Sequence, residues 1–255
     1  MGIERRPFQG LANVLRFNWH FYAIAAFGIV IFLFISTNLY NYWKWILVGL
    51  ALTILITTLI SIVTTYYVYD QSKLYELKWL DGLSDKGDKK ILNINAGFDE
   101  TSLIIAKKFK ESELHICDFY DPKQHTEISI KRARKAYPPH PKTVIVKTGS
   151  LPYSDSQFEL VCVTFAAHEI RNLKERKQLF KELRRVTKSN GKIFVTEHLR
   201  DVNNFFAYTI GFLHFYSRAS WINVFYGSNL NLIGEQKTTP FVTTFILTPN
   251  NGTSH

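Results

Sequence analysis

Two groups of residues in this 255-residue chain have the types and spacing to do chemistry. In the first, His168 and Glu169 follow an apolar run at 158–165, and Glu197 and His198 follow another at 192–196. His214 and Arg218 come shortly after, four residues apart, a spacing that places both on one face if that stretch is helical. A histidine near its ordinary pKa takes up a proton at neutral pH, so His168, His198 and His214 are the candidate bases. His168 ranks first. Glu197 and Arg218 complete the catalytic candidates, with Arg218 suited to an anionic or polar group. Each histidine also has the plainer reading of a packed structural ring. The second group is Asn93, Asn95, Ala96 and Gly97 after an apolar run at 90–95, with Asp118 and Phe119 after a run at 113–117. A carboxylate at such a strand end can accept both hydroxyls of a ribose. Thr148, Gly149 and Phe165, at the ends of two more runs, are expected to line the same ligand. No metal is expected from these spacings.

These residues need a sheet to bring them together. From residue 90 onward, strand-like and helix-like segments alternate: strands at 90–95, 113–117, 143–147, 158–165 and 192–196, helices at 101–109, 128–136 and 173–187. Alternation of that kind predicts a parallel sheet covered on both faces, and ligands of such sheets sit at the carboxyl ends of the strands. Asn190-Gly191 is expected to turn into the 192–196 strand. Runs at 230–235 and 241–247, joined by a short link, predict an antiparallel pair at the end. Between them and the fifth strand lies 197–221, rich in Phe, Tyr and Trp, which reads equally as a lid or as packing. His115, His125 and His140 are expected near the surface, and Cys162 in the packing.

From 88 to 248 the chain resembles the class I S-adenosylmethionine-dependent methyltransferases. Leu151-Pro-Tyr-Ser-Asp-Ser-Gln-Phe-Glu-Leu-Val resembles the Leu-Pro-Phe-x-Asp-x-x-Phe-Asp segment before the family's fourth strand. Phe180-Lys-Glu-Leu-Arg-Arg-Val-Thr-Lys-Ser-Asn-Gly191 is similar to the family's helix and turn before the fifth. The resemblance implies a Rossmann-like seven-stranded domain, S-adenosylmethionine as cofactor, and cofactor contacts from Asn93, Asn95, Ala96, Gly97, Asp118, Phe119, Thr148, Gly149 and Phe165. It departs from the family at the first loop, where Asn93, Asn95, Gly97 and Asp99 stand for Asp-x-Gly-x-Gly-x-Gly. Asn is the next residue after Gly to tolerate left-handed backbone. That departure keeps open a second reading, a non-catalytic membrane scaffold with a degenerate donor site.

The N-terminal part is of another kind. Uncharged runs at 17–43 and 45–69, parted by Lys44, each exceed the roughly 20 apolar residues that span a bilayer. Aromatic residues flank them, as at a lipid–water interface. Arg5, Arg6 and Arg16 precede the pair and Lys73 and Lys78 follow it, which predicts a two-helix transmembrane hairpin with both ends cytoplasmic. The expected organisation is a cytoplasmic segment at 1–16, the hairpin at 17–69, a linker at 70–89 and the methyltransferase-like domain at 90–255. A formal net charge of +10 suits anionic headgroups. Without a nucleic-acid motif or a dense basic block, no nucleic acid is expected as a partner. The expected partners are the lipid bilayer and a small lipophilic acceptor. Cys117 and Cys162 read as free thiols, and Asn251-Gly-Thr253 as a glycosylation-like triplet out of reach of that machinery.

Overall fold

The computed structural model describes residues 5–83 and 89–250. Most of the polar stretch at 81–88 and the triplet at 251–253 lie outside the described residues.

Helix α1 (Gln9–Phe17) opens the chain. Its first-turn amides at Gly10 and Leu11 both donate to Asp70, each at 2.8 Å. A carboxylate there satisfies open N–H groups and complements the helix dipole. A side chain on Gly10 would put Cβ 2.4 Å from that of Tyr69, so this close crossing requires glycine. Helices α2 (Trp19–Thr37) and α3 (Asn41–Tyr66) follow, each long and apolar enough to cross a membrane. Only 6% of either apolar stretch is buried within the protein. Phe21, Phe27, Phe34, Trp45, Ile56 and Val63 face outward.

α3 continues through a wide helical turn (Tyr67–Gln71) and two 3-10 turns (Leu74–Glu76 and Lys78–Leu80). Leu74, Leu77, Trp79 and Leu80, within the segment expected as a linker, are buried against Ile91, Leu160 and Phe194 of the sheet. The hairpin is thus built into the domain's core at its base.

Among the described residues, seven strands form one sheet. They are β1 (Lys90–Asn95), β2 (Glu113–Asp118), β3 (Thr143–Ile145), β4 (Phe158–Thr164), β5 (Thr187–His198), β6 (Leu230–Thr239) and β7 (Val242–Pro249). Their order is β3-β2-β1-β4-β5-β7-β6, parallel except for β7, which runs antiparallel to β5 and β6. The predicted terminal pair is therefore present. α4 (Ser102–Lys108) follows β1, α5 (Ile128–Ala136) follows β2, and α6 (Leu173–Val186) follows β4. α7 (Val202–Tyr208) and α8 (Arg218–Tyr226) fill the gap between β5 and β6. α6 presents Leu179, Phe180, Leu183 and Val186 to the core at helical spacing, and Asn172 caps its first turn.

The fifth strand differs from expectation. It begins at Thr187, directly after α6, and Asn190-Gly191 lies inside it as a bulge rather than opening it. Phe158 pairs with Thr187 but Leu160 pairs with Lys192, so the extra residues loop out. A Cβ on Gly191 would stand 2.9 Å from the Phe158 carbonyl oxygen, which explains glycine there.

β1 and β4 are neighbours, yet their crossovers leave in opposite directions, so the sheet's switch point falls between them. Apart from Arg218, both groups of candidate residues end up near this carboxyl edge.

Candidate functional site

The β1–β2 side is a tight loop braced from below. Asn95 Oδ1 accepts from the Gly97 amide at 2.9 Å, and Gly97 has φ +93°, which glycine adopts freely. Asn93 turns away from this loop. Its Nδ2 donates to Ser102 Oγ at 2.7 Å and to Thr101 Oγ1 at 3.0 Å, so it braces α4 rather than meeting a ligand. Asp99 has the same job, accepting from the amides of Thr101 and Ser102 at 3.0 and 2.9 Å. An acid in the glycine loop is thus explained as a helix cap.

Asp118, buried at the end of β2, accepts from the Tyr120 amide at 2.8 Å and forms an ion pair with Arg134 of α5. The Arg134 side chain also lies over Gly97. Ala96 and Phe119 are buried, Phe119 edge-on to His125 at 5.4 Å. His125, expected at the surface, is buried too, because it fills the space under the 121–125 turn. Thr148 donates to Glu175 at 3.0 Å and, with Gly149, borders an open cleft beside Phe119.

A small cavity of about 50 Å³ sits at the switch point, lined by Asn95, Ala96, Glu100, Thr164, Phe165 and Tyr75 among others. Phe165 is held at φ +49°, a strained conformation for a bulky residue. Arg5 closes over this region, pairing with Glu100 at 3.0 Å and lying 3.6 Å from the Tyr75 ring centroid. Asn95 Nδ2 is buried beside the cavity without a hydrogen-bond partner. A buried amide donor left unpaired is costly, and an anionic or carbonyl oxygen of a ligand would satisfy it.

The β4–β5 side is more highly charged. His168 and Glu169 lie in a 3-10 turn (Ala167–Glu169) just after β4. His168 Nδ1 is 2.6 Å from Glu197 Oε2, and its Nε2 is 3.1 Å from Glu169 Oε1. The His168 amide also donates to Glu197, at 3.2 Å. His214 stands edge-on to His168, its Nε2 3.7 Å from Glu169 and its Nδ1 3.4 Å from Glu127. Burial opposes a charge on His168, but the Glu197 and Glu169 carboxylates outweigh it and push the ring up to about 10. Burial likewise opposes the Glu169 carboxylate, and the two imidazoles overcome that and hold it well below the usual range. Both ring nitrogens of His168 are thus engaged by carboxylates, which favour its protonated form.

The remaining catalytic candidates separate. His198 is fully engaged, with Nε2 2.8 Å from the Tyr69 hydroxyl and Nδ1 3.0 Å from the Phe241 carbonyl. Because a carbonyl only accepts, Nδ1 carries the proton and Nε2 accepts from Tyr69. Phe165 and Phe215 stack on the ring at 5.1 and 4.8 Å. Burial, then the neighbouring His168 charge, lowers His198 to about 4. It bridges the base of the hairpin and the sheet, with both ring nitrogens engaged. Arg218 opens α8, pairs with Glu235 of β6 at 2.7 Å and is exposed, away from both groups. The predicted shared face with His214 fails because the chain breaks between a 3-10 turn (Thr209–His214) and α8.

Glu169, read beside His168 but not ranked among the catalytic residues, takes part in the site, and Glu127, Arg134 and Arg171 join it without having been candidates. Glu169 sits at a strand end and had a sequence signal of its own. Glu127 and the two arginines come from elements distant in sequence and had none.

Residues 108–195, about a third of the chain, match the family model described as a methyltransferase domain. Over this segment the chain is similar to methyltransferases. No curated protein matches the chain. Among solved structures, the [4+2]-cyclase SpnF superposes with a TM-score of 0.50 at 14% identity, covering 71% of this chain and 82% of the cyclase. An Aquifex aeolicus SAM-dependent methyltransferase gives 0.49 at 11% identity over 75% and 97% of the two chains. One from Methanosarcina mazei gives 0.47 at 16% identity over 64% and 92%. The sheet is the Rossmann-like methyltransferase fold, preceded by two apolar helices.

Proposed function

We propose that this chain is a membrane-anchored methyltransferase that uses S-adenosylmethionine and acts on a small apolar or lipid-linked acceptor. S-adenosylmethionine is the cofactor that the methyltransferase-domain match supports. When bound, it supplies a methyl group to a nucleophile by in-line displacement, in which positioning does most of the work. The carrying observation is the buried Asp118 at the end of β2, level with Asn95 of β1 in the sheet register. The residues fit the cofactor. Asp118 would accept the ribose hydroxyls once Arg134 swings aside, and the unpaired Asn95 amide would meet a carboxylate oxygen. Phe119, Thr148 and Gly149 border the side where a purine would lie, and Phe165 walls the cavity by the switch point.

The outward-facing apolar surface of α2 and α3 supports the membrane hairpin, since large exposed apolar areas on a protein seek a partner or a lipid phase. α7 packs against α3 and leaves Phe205 and Phe206 exposed, with Ile210 and Leu213 following in the next turn. These rings extend the apolar surface of the hairpin to the rim of the domain, where a lipophilic acceptor would enter. Trp221, by contrast, is core. The aromatic segment therefore divides between lid and packing.

Calorimetric titration of the full-length protein in detergent with S-adenosylhomocysteine tests the donor site. Saturable binding supports the proposal; its absence favours the scaffold reading, which the Arg134–Asp118 pair would also suit. Topology is tested separately. A cysteine at Asn41 should react with an impermeant thiol reagent in intact cells, and one at Ser254 should not. Cys117 and Cys162 give little background, because burial raises their thiols to about 11 and about 12.

A further inference from the structure

Two histidines and a glutamate meet at the carboxyl edge of β4 in an arrangement that can also hold a cation. Both imidazoles turn Nε2 toward the same carboxylate, Glu169, at 3.1 and 3.7 Å. His168 turns Nδ1 to Glu197 at 2.6 Å, and His214 Nδ1 lies 3.4 Å from Glu127 with Arg171 Nη2 closer against the same nitrogen. One ligand atom from each of His168, Glu169 and His214 falls within 4.8 Å of the others. Glu169 is 4% exposed, and its Oε2 has no hydrogen-bond partner.

We propose that His168, Glu169 and His214 bind a divalent transition-metal ion through the two Nε2 atoms and the Glu169 carboxylate. Tetrahedral coordination with bonds of about 2.0–2.2 Å puts ligand atoms roughly 3.3–3.6 Å apart, so ligand atoms now spread over as much as 4.8 Å have to draw in by up to about 1.2–1.5 Å. The outer contacts are the ones a metal-bound histidine uses. A carboxylate on Nδ1 fixes the tautomer, aims the Nε2 lone pair and raises its basicity. Glu197, fully buried and hydrogen-bonded to His168 through both the ring and the amide, is the orienting residue. The charges agree as well. Glu127, Glu169 and Glu197 face one guanidinium, that of Arg171, which leaves about two negative charges for a divalent cation when both rings are neutral.

Arg171 Nη2 lies 2.9 Å from His214 Nε2 and has to move for the ion to enter. Its side chain is 39% exposed, and turning outward would break its bonds to the His214 ring and carbonyl and its pair with Glu127. Two nitrogens and one carboxylate suit Zn(II) or Fe(II) and do not suit Mg(II), which prefers an all-oxygen shell. Three protein ligands leave a position open for water or a substrate atom. The site stands on its own residues and is independent of methyl transfer.

The full-length protein, stripped with chelator in detergent, is titrated with Zn(II), Co(II) and Mg(II), following heat and, for Co(II), the visible ligand-field bands. One equivalent of Zn(II), a four- or five-coordinate Co(II) spectrum and no competing Mg(II) affinity are expected. His214→Ala, at the partly exposed member of the set, should abolish the Co(II) spectrum while leaving the far-ultraviolet circular dichroism unchanged. Glu197→Gln should retain one equivalent but weaken it about 10–100-fold. Absence of stoichiometric Zn(II) binding overturns the proposal. So does a Co(II) spectrum that persists in both His214→Ala and His168→Ala, or Mg(II) binding as tight as Zn(II).

Discussion

The β1–β2 edge and the β4–β5 edge of one sheet solve opposite problems. On the first, Asp118 is a single buried acid whose counter-charge, Arg134, arrives on a long side chain that is 28% exposed. On the second, Glu197 is wholly buried and its side-chain partner is His168, itself fixed in a short turn. A long, partly exposed partner suits an acid proposed to exchange it for a ligand. A fixed partner makes the second part of the framework. Two carboxylates at equivalent strand ends thus differ in role because of the reach and freedom of what faces them.

Removing the fixed carboxylate should have the largest effect. In metal-free protein, Glu197→Ala leaves a buried imidazole without its nearest acceptor and should cost about 3–5 kcal/mol in denaturant unfolding. A loss under about 1 kcal/mol would erase the contrast between the two edges.

The next largest effect is a pH dependence. His198 is held near 4 against an ordinary value near 6.5, so the unfolded chain binds the proton first. The stability from keeping this ring neutral is present above pH 6.5 and drains away as pH falls from there through about 4. The full span is roughly 3 kcal/mol. His198→Gln should flatten the unfolding profile across that window, and a profile as steep as the parent's would show that another group carries it.

At the exchangeable edge, Asp118→Ala should weaken S-adenosylhomocysteine binding by about 1.5–3 kcal/mol. Arg134→Ala should not weaken it, since that side chain competes for the acid. If Arg134→Ala is the more damaging of the two, the arginine is part of the ligand site and the edge is less exchangeable than drawn.

The smallest effect belongs to Arg218. Its exposed pair with Glu235 should contribute about 0–1 kcal/mol, so Arg218→Ala should leave stability and binding nearly untouched. A clear loss of binding would bring α8 back into the site.

Much of this was legible in the residues. Alternating apolar runs located strands within a few residues, because a buried parallel strand needs a continuous apolar stretch whatever surrounds it. β5 escaped that reading at its start, where α6 feeds straight into the strand and the bulge is imposed by pairing with β4. Strand ends pointed to His168, Glu197, Asp118 and Asn95, since connectivity alone puts them on one edge. Side-chain direction was not legible. Asn93 and Asn95 are two residues apart in one strand and looked alike, but one braces α4 and the other faces a cavity.

By itself the sequence determined what depends on local composition and period. That covers two apolar helices, an alternating α/β domain with an antiparallel finish, and free thiols. Only the tertiary structure decided what depends on distant residues meeting: Arg134 on Asp118, Tyr69 on His198, and Glu127 and His214 beside Glu169. The physical reason is range. Apolar periodicity is written in neighbours along the chain, whereas the charge and proton state of a side chain are set by whatever the fold brings within a few ångströms.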